Sequence, residues 1–239
     1  YNESRRIGQS LQDLASFLKK YPARTEVLVV VEKCTDDTVE LARKIIDRNN
    51  DGNPNHEIRV IANEVHKGKG YAVRTGMLQA KGQFVFFMDA DLSTPLVEVI
   101  EFLSHFETHP DVDVIIGSRQ HPKSQIIKRQ FWLRQKMGQT FNTFVQGLAF
   151  KGFKDTQCGF KAFRQKTVKP IFEKQTIDGF AFDVEILLLA QELGFKIIDL
   201  PVRWINSPDS KVRVVQDSLK MFLDVVRIRR IVRKSLAGR

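Results

Sequence analysis

The chain has 239 residues, of which 42% are hydrophobic and 28% are charged, and its formal net charge is +10. A chain of this length and composition can bury the full core of a globular domain, which argues against a disordered protein. No apolar run reaches the roughly 18 residues that a membrane-spanning helix needs. The positive charge predicts an anionic partner, and three classes fit it: a nucleic acid, an anionic membrane surface or a phosphorylated substrate.

The two cysteines, Cys34 and Cys158, lie far apart in the chain and lack the spacing of zinc ligands. They predict neither a disulfide framework nor a zinc site. This cysteine usage favours a reducing compartment.

Helix and strand patterns alternate along the first half of the chain, beginning with apolar residues at helical spacing from Ile7 to Leu18. This alternation predicts parallel strands joined by right-handed crossovers. The elements expected next are a strand over Thr25–Val31, a helix capped by Thr35 and running to about Arg48, a strand over Glu57–Ala62, a helix over Tyr71–Ala80, a strand over Phe84–Met88, a helix from Pro95 to about Phe106 and a strand over Val112–Ile116.

Two acids, Asp89 and Asp91, directly follow the apolar run Phe84–Met88, which has the composition of a buried strand. Thr94 and Pro95 are typical of the N-cap and first position of the next helix. In open α/β sheets the carboxyl ends of the strands form the edge where ligands bind. The acids are therefore candidate ligands of a hard divalent cation that carries a phosphate. A polar turn with an Asx cap is the alternative.

Gly68 and Gly70 bracket a basic turn between a predicted strand and a predicted helix. The third glycine of a dinucleotide-binding fingerprint would fall at Val73, and the chain contains no P-loop motif, so both nucleotide-binding motifs are excluded. Lys67 and Lys69 either approach a phosphate or the metal-bearing loop, or they belong to a plain turn.

The second half of the chain has a less regular pattern. Lys128–Phe150 is aromatic and basic, and it fits either core packing with a solvated face or an amphipathic element in a membrane interface.

Acids beside aromatics, namely Asp155, Asp183 and Glu185, are either structurally paired or catalytic. A strand is expected over Phe195–Leu200, and then a helix over Val214–Lys234. That helix carries an apolar stripe and a basic end, and it lies either on an anionic membrane or on the core. The stripe consists of Val215, Leu219, Phe222 and Val226, and the basic end consists of Arg227, Arg229, Arg230, Arg233 and Lys234.

Five motifs together resemble glycosyltransferase family 2, and within it the dolichyl-phosphate β-glucosyltransferase branch and its prokaryotic polyprenyl-phosphate relatives. They are Tyr1-Asn2-Glu3, Asp89-Ala90-Asp91, Gly117-Ser118-Arg119, the stretch from Asp155 to Lys161 and the stretch from Ala181 to Glu185. The resemblance runs essentially from end to end. It implies an inverting enzyme with a nucleotide-sugar donor and Mg²⁺ or Mn²⁺.

The implied architecture is the GT-A (Rossmann-like) α/β fold, a mostly parallel central sheet flanked by helices, with amphipathic C-terminal helices. We expect a catalytic domain over residues 1–213 and a basic amphipathic helix over residues 214–239, with a membrane surface as one of its two alternative locations. In family members a first strand precedes the Tyr1-Asn2-Glu3 segment, so we expect one strand fewer in this sheet.

The resemblance also assigns roles to residues. The donor, with UDP-glucose favoured, would be bound by Tyr1, Glu3, Glu32, Lys67, Asp89, Ala90 and Asp91, and Asp89 and Asp91 would hold the metal. One departure concerns the base: where the family has D-D-G-S, this chain has Glu32-Lys33-Cys34-Thr35. Glu32 therefore replaces the acid that normally meets the nucleoside.

The favoured acceptor is a polyprenyl or dolichyl phosphate, held by Arg119 with help from Arg129 and Arg134. Asp155 and Asp183 complete the candidate catalytic residues. They would act as general bases in the alternative reaction, transfer to a sugar or polysaccharide hydroxyl. The resemblance implies a protein at the cytoplasmic face of a membrane, peripheral or anchored by segments outside this sequence. A nucleic-acid-binding domain is the remote alternative, and the absence of any reader motif argues against it.

Overall fold

The computed structural model describes residues 1–49, 53–128, 152–153, 155–205 and 214–237. Beyond Lys128, the predicted amphipathic stretch lies outside the described residues. The helices are α1 (Ile7–Leu18), α2 (Thr38–Asn49), α3 (Lys69–Gln79), α4 (Glu98–Thr108), α5 (Gln165–Phe172), α6 (Phe182–Glu192) and α7 (Val214–Ala237). The strands are β1 (Thr25–Val31), β2 (His56–Ala62), β3 (Phe84–Met88), β4 (Val114–Ser118), β5 (Gln125–Lys128), β6 (Phe160–Arg164), β7 (Ile197–Pro201) and β8 (Arg203–Ile205).

The strands form a mixed arrangement in which parallel pairing predominates, as the sequence predicted. β1 pairs with β2 in parallel, and β5 pairs with β8 in parallel. The central sheet has the order β3-β6-β4-β7. In it β4 and β7 are parallel, whereas β6 runs antiparallel to both β3 and β4. The sequence had not predicted β6.

Two helix starts were predicted too early. Helix α2 begins at Thr38 rather than directly after Thr35, because the Asp36 carboxylate accepts the Thr38 backbone N–H at 3.2 Å. Helix α4 begins at Glu98 rather than Pro95, since the Glu98 N–H donates to the Pro95 carbonyl in a preceding turn. Thr94 therefore does not cap that helix.

Other boundaries differ by one or two residues. Helix α3 begins at Lys69, two residues before the predicted start. Strand β4 covers Val114–Ser118 rather than Val112–Ile116, which brings Arg119 directly to the carboxyl end of the strand. The consequence is that Arg119 and Asp89 follow two strands that both pair with β6.

Helix α6 is the most buried helix among the described residues. Its first nine positions, Phe182–Ala190, are all buried, so its apolar surface is not limited to one stripe. A helix that is apolar all round belongs in the interior of a domain. Its position carries Asp183 and Glu185 into the core, where each must be paired.

A large cavity separates β1 from β3. Within the described ranges, β1 has a ladder partner only in β2, and β3 only in β6. The cavity measures ≈1950 Å³. Apolar side chains of both strands line it, including Val27, Val29, Phe84 and Phe86.

Helix α7 packs on the core with a different face from the predicted one. Val225, Ile228 and Val232 are buried, whereas Phe222 and Val226 of the predicted stripe are exposed. The side chains of Val215 and Leu219 lie outside the described residues. Across the part of the chain that the structure describes, no helix has the length and apolar character needed to cross a membrane.

Candidate active site

Asp89 and Asp91 lie in the loop that leaves β3, and each has a cation close by. Asp89 Oδ1 lies 2.7 Å from Lys69 Nζ, and Asp91 Oδ2 lies 3.7 Å from Arg6 Nη1. Asp91 Oδ1 accepts the Ser93 backbone N–H at 3.0 Å. The Asx turn considered as the alternative is therefore present. The turn uses Oδ1 of Asp91, and the other oxygen, Oδ2, is the one near Arg6.

Gly159 fixes the position of the Asp89 carboxylate. This glycine precedes β6, and its carbonyl accepts the Asp89 backbone N–H at 3.1 Å. A Cβ at position 159 would lie 2.0 Å from Asp89 Oδ2, far inside van der Waals contact. Only glycine therefore lets the carboxylate pass this close to the backbone.

The acid pair fits a divalent cation whose coordination is completed by a phosphate ligand. Mg²⁺ is commonly held by one or two carboxylates together with substrate phosphates and water. Asp89 and Asp91 supply such hard oxygen ligands at one edge of the cavity. No cluster of three or more His, Cys, Asp or Glu residues that could hold a metal occurs within the described ranges. The diphosphate of a donor would have to complete the coordination.

Glu32 organises the turn between β2 and α3. It is buried, and its Oε1 accepts the backbone N–H groups of Lys67 and Gly68 at 3.0 and 2.9 Å. Its Oε2 pairs with His66 Nδ1. The Tyr1 ring stacks on His66 with centroids 3.8 Å apart. Glu32 therefore anchors the basic turn at Lys67 and Gly68 through its hydrogen bonds.

Arg119 is held in place by Asp155. The Arg119 backbone N–H and Nε donate to Asp155 Oδ2 at 2.8 and 2.7 Å, and Nη2 donates to Oδ1 at 2.7 Å. Burial alone would raise the pKa of Asp155, but the charge and hydrogen bonds of Arg119 hold that pKa below its ordinary value. The guanidinium also lies 5.7 Å from the centroid of the Trp204 ring. Arg119 lines the cavity and Asp155 lies behind it.

The acids of α6 are also paired. Asp183 Oδ1 accepts a hydrogen bond from Lys161 Nζ, and both side chains are almost fully buried. Lys161 Nζ also donates to the Cys158 carbonyl at 2.7 Å. Glu185 accepts the backbone N–H groups of Thr176 and Ile177 at 2.9 and 2.8 Å. The structural pairing that the sequence offered as one alternative is therefore present for both acids of α6.

The structure brings most of the predicted site residues to one cavity. Those that line it are Tyr1, Glu3, Glu32, Lys67, Asp89, Ala90, Asp91, Arg119 and Asp183. Arg129 and Arg134 lie outside the described residues. Sequence reasoning did not assign Arg6 to the acid pair or Lys161 to Asp183, but it did offer the metal-bearing loop as a partner of the basic turn that holds Lys69. For Lys69 the signal was present, because it stands in the basic turn already singled out.

Comparisons with known proteins show the family and the fold of the chain. Residues 1–172 match the model of the family described as Glycosyl transferase family 2. Over 96% of its length the chain is 34% identical to a dolichyl-phosphate β-glucosyltransferase of Dictyostelium discoideum, covering 71% of that protein. The corresponding enzyme of Saccharomyces cerevisiae is 37% identical, again over 96% of this chain, with 72% of that protein covered.

Two solved structures show the same fold at low sequence identity. The mannosyl-3-phosphoglycerate synthase of Rubrobacter xylanophilus superposes with a TM-score of 0.67 at 15% identity, covering 100% of this chain and 73% of that one. The glucosyl-3-phosphoglycerate synthase of Mycobacterium tuberculosis, solved with Mn²⁺, UDP-glucose and phosphoglyceric acid, gives 0.64 at 15% identity, covering 96% and 76%. The predicted GT-A fold is confirmed by these neighbours. Together with the family match and the two relatives, they establish that the chain belongs to glycosyl transferase family 2.

Proposed function

We propose that the protein transfers glucose from UDP-glucose to dolichyl phosphate or a related polyprenyl phosphate, with inversion at the anomeric carbon and with Mg²⁺ or Mn²⁺ as cofactor. Support for the acceptor comes from relatives named dolichyl-phosphate β-glucosyltransferase. Support for the donor and cation comes from the structural neighbour solved with Mn²⁺ and UDP-glucose.

The pairing of the two candidate bases is the observation that favours a phosphate acceptor. A sugar hydroxyl needs a general base within hydrogen-bond reach. Asp155 is fully buried behind Arg119, and Asp183 is paired with Lys161. A phosphate monoester needs no such base, because its second pKa near 6 leaves it mostly dianionic at neutral pH. Both acids are therefore better suited to positioning cations than to taking a proton.

The donor would lie at the carboxyl edge of β3, with Asp89 and Asp91 toward its diphosphate. A bound dication within about 4 Å of a unit charge on the leaving diphosphate would supply on the order of 8 kcal/mol at an effective dielectric near 20. Asp89 and Asp91 would hold that cation. Glu32, Lys67 and the Tyr1 side of the cavity frame the nucleoside.

Arg119 would bind the acceptor phosphate. Asp155 accepts from its Nε and Nη2, and Arg119 lines the cavity, so Nη1 would donate to a phosphate oxygen. A guanidinium fixed on one edge presents its remaining donors without further loss of side-chain entropy. Arg119 thus orients the nucleophilic oxygen toward the anomeric carbon.

We further propose that α7, within the expected segment 214–239, lies on an anionic membrane surface. Its exposed side carries Phe222, Leu223 and Val226, which are 41%, 45% and 54% accessible. Basic residues that attract acidic lipid, at about 1 kcal/mol each near the surface, are exposed on the same helix: Arg227, Arg229, Arg230 and Arg233.

Vesicle co-sedimentation tests the membrane surface. Binding should increase with the fraction of acidic lipid and decrease with salt. Arg227→Glu with Arg230→Glu should abolish it, whereas Arg43→Glu, an exposed arginine on α2, should not. Equal binding to neutral and acidic vesicles would contradict the proposal.

The acceptor is tested by incubating the protein with radiolabelled UDP-glucose, a divalent cation and either polyprenyl phosphate or soluble glycans. Products are then partitioned between organic solvent and water. We expect label in the organic phase only when both the cation and the lipid phosphate are present. Label found only in water-soluble glycan would refute the lipid-phosphate acceptor and leave the family assignment intact.

A further inference from the structure

Lys69 lies among three carboxylates at the candidate metal site. Its Nζ is 2.7 Å from Asp89 Oδ1, and Asp183 and Asp91 also act on it electrostatically. The Phe182 ring lies 5.8 Å from the ammonium on another side. Burial would lower the pKa of Lys69, but the charges of Asp89 and Asp183 raise it above its ordinary value. The positively charged Lys69 ammonium thus already contacts Asp89, one of the two candidate metal ligands.

The helix start that carries Lys69 does not favour a cation. Lys69 is the first residue of α3, and the N-terminal end of a helix is the positive end of its dipole. Anions, phosphates above all, are stabilised at that end. The acids therefore account for the position of the Lys69 side chain, and a phosphate bound at the same helix end would offer it a second partner.

The backbone beneath Lys69 is fixed on both sides. A Cβ on Gly68 would lie 2.7 Å from the Asp178 carbonyl oxygen, and one on Gly70 would lie 2.4 Å from the Ile177 carbonyl oxygen. The start of α3 therefore packs directly against the segment that precedes α6. Any rearrangement at this place must come from the long Lys69 side chain, which is 25% exposed toward the cavity.

The Lys69 ammonium and a divalent cation cannot both contact Asp89 Oδ1 at close range, because two positive charges would then lie within a few ångströms of each other. Asp91 has Arg6 nearby, and Asp183 is paired with Lys161. The cation in contact with Asp89 is Lys69. Lys69 supplies the compensating charge in the metal-free protein. Lys67, two residues earlier, does not have this position, since its Nζ lies 4.9 Å from the centroid of the Tyr71 ring.

We propose that Lys69 is a resident counter-ion of the metal site: it pairs with Asp89 while no divalent cation is bound, and moves to the donor diphosphate when the cation takes its place. This inference rests on the proposed function. Lys69 therefore weakens metal binding in the free protein and strengthens nucleotide binding in the metal-loaded protein. A purely structural lysine would have neither of these opposite effects.

The test is a titration of the full chain with Mn²⁺, following free Mn²⁺ by electron paramagnetic resonance, first without nucleotide and then with UDP. Without nucleotide, Lys69→Met should bind Mn²⁺ about tenfold more tightly than the unmodified chain, because a repelling charge is gone. With Mn²⁺ saturating, the same variant should bind UDP about tenfold more weakly, because a phosphate contact is lost.

Matched variants separate charge from structure. Lys67→Met removes the same charge nearby and should change Mn²⁺ affinity less than about threefold. Lys69→Gln, which keeps polarity without charge, should behave like Lys69→Met and covers the case in which the methionine variant fails to fold. Mn²⁺ binding that is unchanged or weaker in the Lys69 variants would overturn this proposal alone. If neither the unmodified chain nor any variant binds Mn²⁺, with or without UDP, the metal site of the proposed function is wrong as well.

Discussion

Arg119 and Asp155 form a two-pronged ion pair in which the backbone N–H of the arginine makes a third hydrogen bond to the same carboxylate. Asp155 is fully buried, whereas 29% of the Arg119 side chain is exposed. The carboxylate thus aims the guanidinium without touching the cavity itself. Under the proposed function, the two residues would have different roles, binding the acceptor phosphate for Arg119 and positioning that arginine for Asp155.

The roles predict different kinetic effects. Arg119→Ala should lose most transfer activity, because the acceptor phosphate loses its cation. Asp155→Asn should raise KM for the lipid phosphate about tenfold and leave KM for UDP-glucose within about twofold, since the guanidinium loses its fixed direction but keeps its charge. Steady-state kinetics with each substrate varied in turn measure this split.

Asp155→Asn should also cost stability, by about 3 kcal/mol in the free energy of unfolding, because a buried partner of an ion pair is neutralised. Arg119→Lys serves as the comparison, since it keeps the charge and loses the two-pronged geometry. Equal increases in both KM values for Asp155→Asn would contradict a positioning role toward the acceptor.

Asp91→Asn should abolish metal-dependent transfer and leave the fold intact. Asp91 lies in a partly exposed loop, and its Oδ1 could still accept the Ser93 N–H as an amide oxygen, so the turn survives while the charge is lost. Turnover in the presence of Mn²⁺ and thermal unfolding are the two measurements. Full activity of the variant, or undiminished turnover of the unmodified protein in excess EDTA, would remove the metal hypothesis.

Gly159→Ala should impair metal binding more than it impairs folding. The new Cβ would lie 2.0 Å from Asp89 Oδ2, so the carboxylate must move away from its position beside Lys69. We expect at least a tenfold loss of Mn²⁺ affinity. Gly8→Ala on α1 is the control, because its Cβ would meet only the end of the Ile45 side chain at 3.4 Å. Similar Mn²⁺ affinity in both variants would show that the close approach does not position Asp89.

Asp36 should stabilise the start of α2 in a pH-dependent way. Burial would raise its pKa, but hydrogen bonds from Thr38 and Ser4 lower it from 3.8 to about 2. The stabilisation is therefore present above pH 4 and is lost as the pH falls through the folded pKa. Asp36→Ala should lower the free energy of unfolding by about 1 kcal/mol at neutral pH and by little near pH 2. Asp37→Ala, at the exposed neighbour, is the control in chemical denaturation at both pH values.

Local patterns were enough to predict the acid pair and its place in the fold. An unbroken apolar run predicted β3, and the two acids after it lie at its carboxyl end as expected. The start of α2 was missed because Thr35 and Asp36 are both acceptable caps, and only the contact of Asp36 with Thr38 distinguishes them. Thr and Asp are both residue types that cap helices, so two such residues in a row do not show from sequence alone which of them makes the contact.

Strand β6 and the role of Lys69 depend on non-local contacts. Strand β6 carries a fully buried lysine, Lys161, whose charge is compensated by Asp183, 22 residues later. No pattern within the strand itself indicates that pairing. For the basic turn, the predicted start of α3 at Tyr71 left Lys67 and Lys69 equivalent. The actual start at Lys69 places that residue against Asp89 and leaves Lys67 over the Tyr71 ring.

The most direct test of the proposed activity is nuclear magnetic resonance of the purified lipid product formed from UDP-glucose and polyprenyl phosphate. We predict one glucose per phosphate, joined through the phosphate oxygen, with the β configuration at the anomeric carbon. An α-linked product, or glucose attached to a hydroxyl rather than to phosphate, would contradict inverting transfer to the lipid phosphate.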